Sequence, residues 1–99
     1  MDCIFCKIAN GEIASDTVYE DDNFRVILDL SPASKGHMLI LPKVHAGDIT
    51  ELSEDIAGKA LVLAGKLGKA AMVGLGATGF NTLANTGESA GQTVFHCHI

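Results

Sequence analysis

A single long helical period divides the sequence into two strand-forming parts. Small and apolar residues recur on one helical stripe, at Ile56, Ala60, Leu63, Ala64, Leu67 and Ala71. Ser53 can cap the start of this helix, and Gly74 with Gly76 can end it after about five turns. The pattern therefore predicts one long helix, against which the remaining elements must pack.

Short β patterns lie on both sides of this helix. Before it come Thr17 to Tyr19, Phe24 to Leu30 and His37 to Leu41, and after it "GFNTLAN" and "TVFHCHI" return to period two. The acidic turn between the first two runs predicts a β-hairpin. Because the order lacks regular βαβ alternation, we expect an α+β fold, with an antiparallel sheet of about five strands and the helix on one face.

Composition restricts the class of protein. The 99 residues predict a single domain spanning 1–99. Twelve acidic residues outnumber seven Lys and Arg, giving a net charge of −5, which argues against broad binding to nucleic acid. No signal-peptide pattern is found, and Lys59, Lys66 and Lys69 interrupt the longest apolar stretch. We therefore expect a cytoplasmic protein without a membrane partner.

The last residues place two imidazoles together. Strand alternation puts His96 and His98 on one face, with Cα atoms about 6.5 Å apart. Such a pair can ligate one metal, supply a nucleophile or acid–base pair, or be two half-buried histidines satisfied by hydrogen bonds. The preceding loop, "NTGESAGQT", has glycines and polar side chains that suit a phosphate, although a plain connecting loop has the same composition.

Three cysteines remain to be explained. An odd number without export signals favours reduced thiols or a metal site over a disulfide framework. Cys3 and Cys6 form a Cys-x-x-Cys pair, for which a redox role would need a βαβ context that is missing. Two unligated thiols remain the alternative to a metal site. Cys97 points away from the histidines and is interpreted as a small core residue.

Three separated blocks carry a family resemblance. "DCIFCKIANGEI", "LDLSPASKGHMLILPKVH" and "NTGESAGQTVFHCHI" resemble, in order and spacing, the histidine-triad (HIT) nucleotide-binding family of the small bacterial zinc-containing type. His96-Cys97-His98-Ile99 fits the first four positions of the family motif His-φ-His-φ-His-φ-φ. The third motif histidine would follow Ile99 directly. We therefore expect the chain to stop within the motif, without the C-terminal segment and with impaired catalysis.

The resemblance implies roles for single residues. His98 matches the nucleophile that attacks the α-phosphorus of a nucleoside monophosphate derivative, and the Thr93 hydroxyl would assist the leaving group. The phosphate would be held by Asn85, Gly91, Gln92, Thr93 and His98. Asp29 matches the carboxylate that accepts the ribose hydroxyls, and Phe5, Ile27 and Leu30 would form the base slot. Without the resemblance, Asp29 would be a loop cap and the apolar residues would be core.

The resemblance also implies a metal, partners and an activity. Cys3, Cys6, His45 and His96 would converge on one structural Zn²⁺ site with no open position. The fold would be HIT-like, with a short N-terminal helix, and the chain would pair as a homodimer. The implied activity is hydrolysis or transfer on purine nucleotides such as AMP or GMP, acting on phosphoramidates such as adenosine 5′-phosphoramidate. The alternative is a nucleotide-binding or zinc-dependent interaction module with little or no turnover.

Overall fold

The computed structural model describes residues 3–29 and 36–99 and has the expected α+β architecture. Its elements in chain order are helix α1 Ile4–Ala9, strands β1 Thr17–Glu20, β2 Phe24–Leu28 and β3 Met38–Pro42, and helix α2 Glu54–Gly74, with short 3₁₀ turns at Ile49–Glu51 and Glu88–Ala90. The short N-terminal helix and the long helix are both confirmed. Leu30, assigned above to the base slot, lies outside the described residues. No described helix has the length and apolar character that crossing a bilayer requires.

The sheet is antiparallel, in the order β1-β2-β3. The predicted hairpin joins β1 to β2, and β3 pairs with β2 in a register that sets Val26 opposite Ile40 and Leu28 opposite Met38. Pro42 is the last residue of β3, where a residue without a backbone N–H is tolerated.

Both faces of this sheet are covered. On one face Phe24, Val26 and Ile40 are buried against Ala60 and its neighbours on α2. On the other face Ile27 and Leu41 are buried against Ala9 of α1. Burial on both faces explains why β3 is a nearly continuous apolar run rather than an alternating one.

Helix α2 begins and ends where its sequence predicts. The Ser53 hydroxyl accepts the Ile56 N–H at 3.2 Å, which satisfies one of the otherwise unpaired amides of the first turn. Gly68 faces the ring of Phe80, and a Cβ atom at this position would collide with that ring. The absence of a side chain at Gly68 therefore allows the segment after α2 to fold back onto the helix.

The described residues form three strands, so the expectation of about five was wrong for the two C-terminal runs. Only Ile99 reaches the open edge of β3, where it exchanges backbone hydrogen bonds with Ile40 at 2.8 and 3.2 Å, the pattern of an antiparallel pair. Earlier groups of this segment bond elsewhere, since the Cys97 N–H donates to the Ala46 carbonyl at 2.6 Å. A ladder cannot extend when its backbone groups have other partners.

The hairpin turn supplies a pH-dependent contribution to stability. One Asp21 carboxylate oxygen accepts the Asn23 and Phe24 N–H groups at 2.8 and 2.9 Å. Burial raises the pKa of Asp21, but these backbone hydrogen bonds outweigh it and hold the pKa below 3.8. A depressed folded-state pKa means that this stabilisation is present above the ordinary value and is lost as the pH falls through the lowered value.

We therefore expect Asp21→Ala to lower the free energy of unfolding by about 1 to 2 kcal/mol at neutral pH, because two turn amides lose a charged acceptor. Urea denaturation should show this difference shrinking well below pH 3.8. Asp22→Ala, which removes an exposed carboxylate from the same turn, is the matched control. An equal loss of unfolding free energy in Asp22→Ala would contradict this role of Asp21. So would a difference between Asp21→Ala and the wild type that persists in acid.

Candidate metal centre and active site

Local structure brings two thiols to one end of α1. Cys3 is the N-cap of this helix, and its Sγ accepts the Cys6 N–H at 3.3 Å. A helix N-terminus favours negative charge, which suits thiolates at these two positions. The Cys-x-x-Cys spacing therefore presents both sulfur atoms at the same turn.

The two thiols meet two imidazoles from distant parts of the chain. His96 Nδ1 lies 3.4 Å from Cys3 Sγ, 3.3 Å from Cys6 Sγ and 3.2 Å from His45 Nδ1. All four possible ligand atoms lie within 4.8 Å of one another. A tetrahedral zinc ion, with Zn–S near 2.3 Å and Zn–N near 2.0 Å, separates its ligand atoms by about 3.3 to 3.8 Å. The donor set and spacing therefore fit one tetrahedral metal ion.

The ring of His96 is oriented for ligation. Its Nε2–H donates to the Pro42 carbonyl at 2.9 Å, which leaves the lone pair of the neutral ring on Nδ1, facing the cluster. The side chain is fully buried, and this burial lowers the pKa of His96, so the neutral form is favoured. The residue has the tautomer and charge state that a metal ligand requires.

The thiol of Cys6 would gain from a cation. Burial, followed by the hydrogen bond and charge of Cys3, raises the pKa of Cys6 to about 11. A bound metal ion displaces such a proton, because the thiolate is the form that ligates. A metal ion would therefore supply the positive charge that this group of two sulfur and two nitrogen donors can bind.

His98 is presented differently from His96. Its Nδ1–H donates to the His96 carbonyl at 2.8 Å, so the neutral ring carries its lone pair on Nε2. The ring of Phe5 meets both imidazoles edge-on, with centroids 5.0 Å from His98 and 6.2 Å from His96. His98 is only partly buried. This geometry places an imidazole whose Nε2 carries a lone pair beside the ring of Phe5.

The glycine loop, residues 85–93, precedes these histidines. Gly87 and Gly91 adopt φ values of +88° and +99°, which side chains other than glycine rarely tolerate. A Cβ atom on Gly91 would also approach the Asn85 amide to 3.4 Å. Asn85, Gly91 and Thr93 are exposed on this loop. Their phosphate contacts stay predictions.

Gln92 is buried within this otherwise exposed loop. Its side-chain oxygen accepts the Gly87 N–H at 2.9 Å, and its amide nitrogen donates to the carbonyls of Gly47 at 2.7 Å and Val94 at 3.1 Å. The backbone N–H of Gln92 donates to the Gly87 carbonyl at 3.1 Å. Gln92 therefore binds other parts of the protein, and a phosphate contact through it stays a prediction.

Asp29 has a neighbour that sequence reasoning missed. Its N–H donates to the His37 carbonyl at 3.0 Å, and its carboxylate lies 3.6 Å from His37 Nε2. The sequence pattern placed His37 only at the start of the third predicted strand. The signal was available in the β2–β3 register, because continuing from Leu28 opposite Met38 by one residue pairs Asp29 with His37.

Two of the apolar residues assigned to the base slot belong to one cluster. Ile27 is 5% exposed and is buried with Ala9 and Leu41, and Phe5 packs against this cluster while its ring also lies beside His98. A groove of about 810 Å³ lies elsewhere, between the hairpin turn and α2, where Tyr19 and Lys59 are among its lining residues. None of the predicted site residues within 3–29 and 36–99 lines that groove.

Comparisons with known proteins agree with this geometry. The HIT domain family model matches residues 10–99. Protein hit from Bacillus subtilis is 42% identical over 97 residues, covering 98% of this chain and 67% of the relative. Adenosine 5′-monophosphoramidase hnt1 from Schizosaccharomyces pombe is 41% identical over 99 residues, covering 100% of this chain and 71% of the relative.

A solved structure supports the fold. A zinc-bound histidine triad family protein from Mycobacterium smegmatis superposes with a TM-score of 0.94 at 39% sequence identity. The match covers 99% of this chain and 71% of that one. The superposition therefore includes nearly every helix and strand of the described residues.

Proposed function

The chain belongs to the HIT domain family, and from this premise we propose that residues 1–99 act as one HIT domain that binds AMP or GMP and cleaves purine nucleoside 5′-phosphoramidates. The observation that carries the proposal is the orientation of His98. Its Nδ1–H donates to a backbone carbonyl, so Nε2 keeps a lone pair that can attack phosphorus. The name of the Schizosaccharomyces pombe relative, an adenosine 5′-monophosphoramidase, supports this class of substrate.

The proposed reaction has two displacements at phosphorus. His98 Nε2 attacks the α-phosphorus and the P–N bond breaks. The amine leaves with a proton that comes from solvent and is relayed by the Thr93 hydroxyl. Water then attacks the nucleotidyl-histidine, releasing AMP and restoring the imidazole. Asn85, Gly91 and Thr93 stabilise the negative charge on the phosphate oxygens through N–H and hydroxyl donors. Gln92 contributes by shaping the loop, because its own N–H groups donate within the protein.

The rest of the nucleotide would lie between β2 and Phe5. The Asp29 carboxylate is acceptor-only when ionised and so suits the two ribose hydroxyls, both of which are donors. The base would pack on Phe5, beside Ile27 and Leu30. Proximity of Phe5 to His98 supports a base slot adjoining the nucleophile.

We assign the metal centre to structural Zn²⁺ held by Cys3, Cys6, His45 and His96. When bound, the ion supplies a fourfold cross-link between α1, the segment after β3 and the end of the chain. A homodimer is part of the proposal, as in the family the sequence resembles. The cytoplasm is the proposed location, because a thiolate site requires reduced cysteines.

Substitution Asp29→Asn is expected to weaken AMP binding about 10- to 100-fold, since hydrogen bonds to a charged acceptor contribute about 1.5 to 3 kcal/mol. Calorimetry with AMP and with 2′,3′-dideoxy-AMP isolates the ribose contact. The wild-type protein should discriminate strongly between the ligands and Asp29→Asn should not. Asp22→Asn, an exposed aspartate in the hairpin turn, should keep wild-type discrimination. Equal discrimination by Asp29→Asn would refute this role.

Parallel assays separate the proposed enzyme from a module without turnover. Binding of AMP together with hydrolysis of adenosine 5′-phosphoramidate supports the enzyme. Binding without hydrolysis indicates a nucleotide-binding module. Zn²⁺ binding without nucleotide affinity indicates a zinc-dependent interaction module, which the clustered ligand atoms make the second candidate.

A further inference from the structure

We propose that Gln92 is a positioning residue that couples occupancy of the metal centre to the shape of the glycine loop, so that Zn²⁺ and AMP bind cooperatively. The inference rests on the proposed function for the identity of the second ligand. Its physical basis is the side chain of Gln92, which is 2% exposed and makes three hydrogen bonds.

One end of the Gln92 amide is bound to the segment that carries a metal ligand. Its Nε2 donates to the carbonyl of Gly47, two residues after His45, at 2.7 Å. The same segment is held by the Cys97 N–H, which donates to the Ala46 carbonyl. The position of residues 45–47 is therefore set jointly by the metal ligand and by contacts to the chain end.

The other end of the amide is bound to the glycine loop. Its Oε1 accepts the N–H of Gly87, a loop residue with positive φ. The Gly87 carbonyl in turn accepts the backbone N–H of Gln92 at 3.1 Å, so the loop closes on itself at this point. A displacement of Gly47 would be transmitted to Gly87 through one planar group, the side-chain amide of Gln92.

The chemistry of this position requires an amide of this length. Two carbonyls need donors and one N–H needs an acceptor, and a carboxylate or an alkyl chain cannot satisfy all three. Buried polar groups that lose a partner cost about 1 to 3 kcal/mol each, so the loop and the His45 segment move together or not at all. His45 itself is exposed, so a bound metal ion would hold its imidazole in place.

Linkage makes the effect reciprocal. If Zn²⁺ tightens AMP binding by some factor, AMP must tighten Zn²⁺ binding by the same factor. Couplings of this kind range from about 5- to 150-fold. We expect at least about tenfold here.

The test is calorimetry on the 99-residue chain. AMP is titrated into zinc-loaded and chelator-treated protein, and Zn²⁺ is titrated with and without AMP. The factor by which Zn²⁺ tightens AMP binding should fall towards one in Gln92→Met. This variant keeps the length of the side chain but loses its hydrogen bonds. Gln92→Glu keeps the acceptor for Gly87 but loses the donors for Gly47 and Val94, so it should also lose the coupling. It is the second variant if Gln92→Met does not fold. Asn81→Leu, which removes an exposed amide, should keep the full factor.

A second readout separates this inference from the proposed function. Hydrogen exchange should show Zn²⁺ slowing the amides of Gly87 and Gln92 in the wild type but not in Gln92→Met, whether or not AMP binds. Absent AMP binding with this pattern retained would overturn the nucleotide function alone. A coupling factor of one, unaltered loop exchange on adding Zn²⁺, or full coupling in Gln92→Met would overturn the inference.

Discussion

Chelation of the metal is expected to lower the free energy of unfolding by about 4 kcal/mol relative to protein in Zn²⁺ at a thousandfold excess over its dissociation constant. For a domain of this size that corresponds to a fall in melting temperature of about 15 to 30 °C. The reason is that Cys3, Cys6, His45 and His96 converge only in the folded chain. The buried clusters of the sheet exclude these four residues, so the metal-free chain should remain folded.

Two cysteine variants make this prediction specific. Cys6→Ser removes a ligand and should abolish the dependence of the melting temperature on Zn²⁺. Cys97→Ser alters a thiol that is 3% exposed and is not among the clustered ligands, so it should lower stability while keeping the Zn²⁺ shift. Differential scanning calorimetry measures both. A Zn²⁺ shift that survives Cys6→Ser would refute the assigned ligand set.

Substitution His98→Asn is expected to reduce kcat/KM for adenosine 5′-phosphoramidate on the order of 10⁴-fold or more, because the nucleophile of a covalent mechanism is lost. Asparagine can still donate a side-chain N–H towards the His96 carbonyl, so AMP affinity should change only several-fold. Steady-state kinetics and AMP calorimetry provide the two measurements.

Thr93→Val offers a graded comparison for that result. Loss of a hydroxyl that only assists the leaving group should cost about 10²-fold. The loss of kcat/KM should be larger in His98→Asn than in Thr93→Val, because a nucleophile contributes more to the rate than a donor that only assists the leaving group. A loss below tenfold in His98→Asn, or a larger loss in Thr93→Val, would place the nucleophile elsewhere.

Local patterns predicted most of the fold because most of it depends on local residues. The Ser53 cap, the apolar stripe and the glycines fixed α2 to its observed bounds. The two predicted C-terminal strands did not form, because a strand also needs an open sheet edge and backbone groups that have no other hydrogen-bond partner. Only Ile99 meets that condition, by pairing with Ile40.

The site was predicted unevenly for the same reason. The metal quartet came from resemblance, because 93 residues separate Cys3 from His96 and no local period connects them. The contact between Asp29 and His37 follows from strand register and could have been found. The bond from Gln92 to Gly47 could not, since it depends on how two loops pack across 45 residues.

A crystal structure of the zinc-loaded chain with AMP would show the nucleotide site itself. We expect the phosphorus about 3 to 3.5 Å from His98 Nε2, against the glycine loop, with the ribose hydroxyls on Asp29. AMP bound in the groove between the hairpin turn and α2, or a His98 ring turned away from the phosphate, would contradict it.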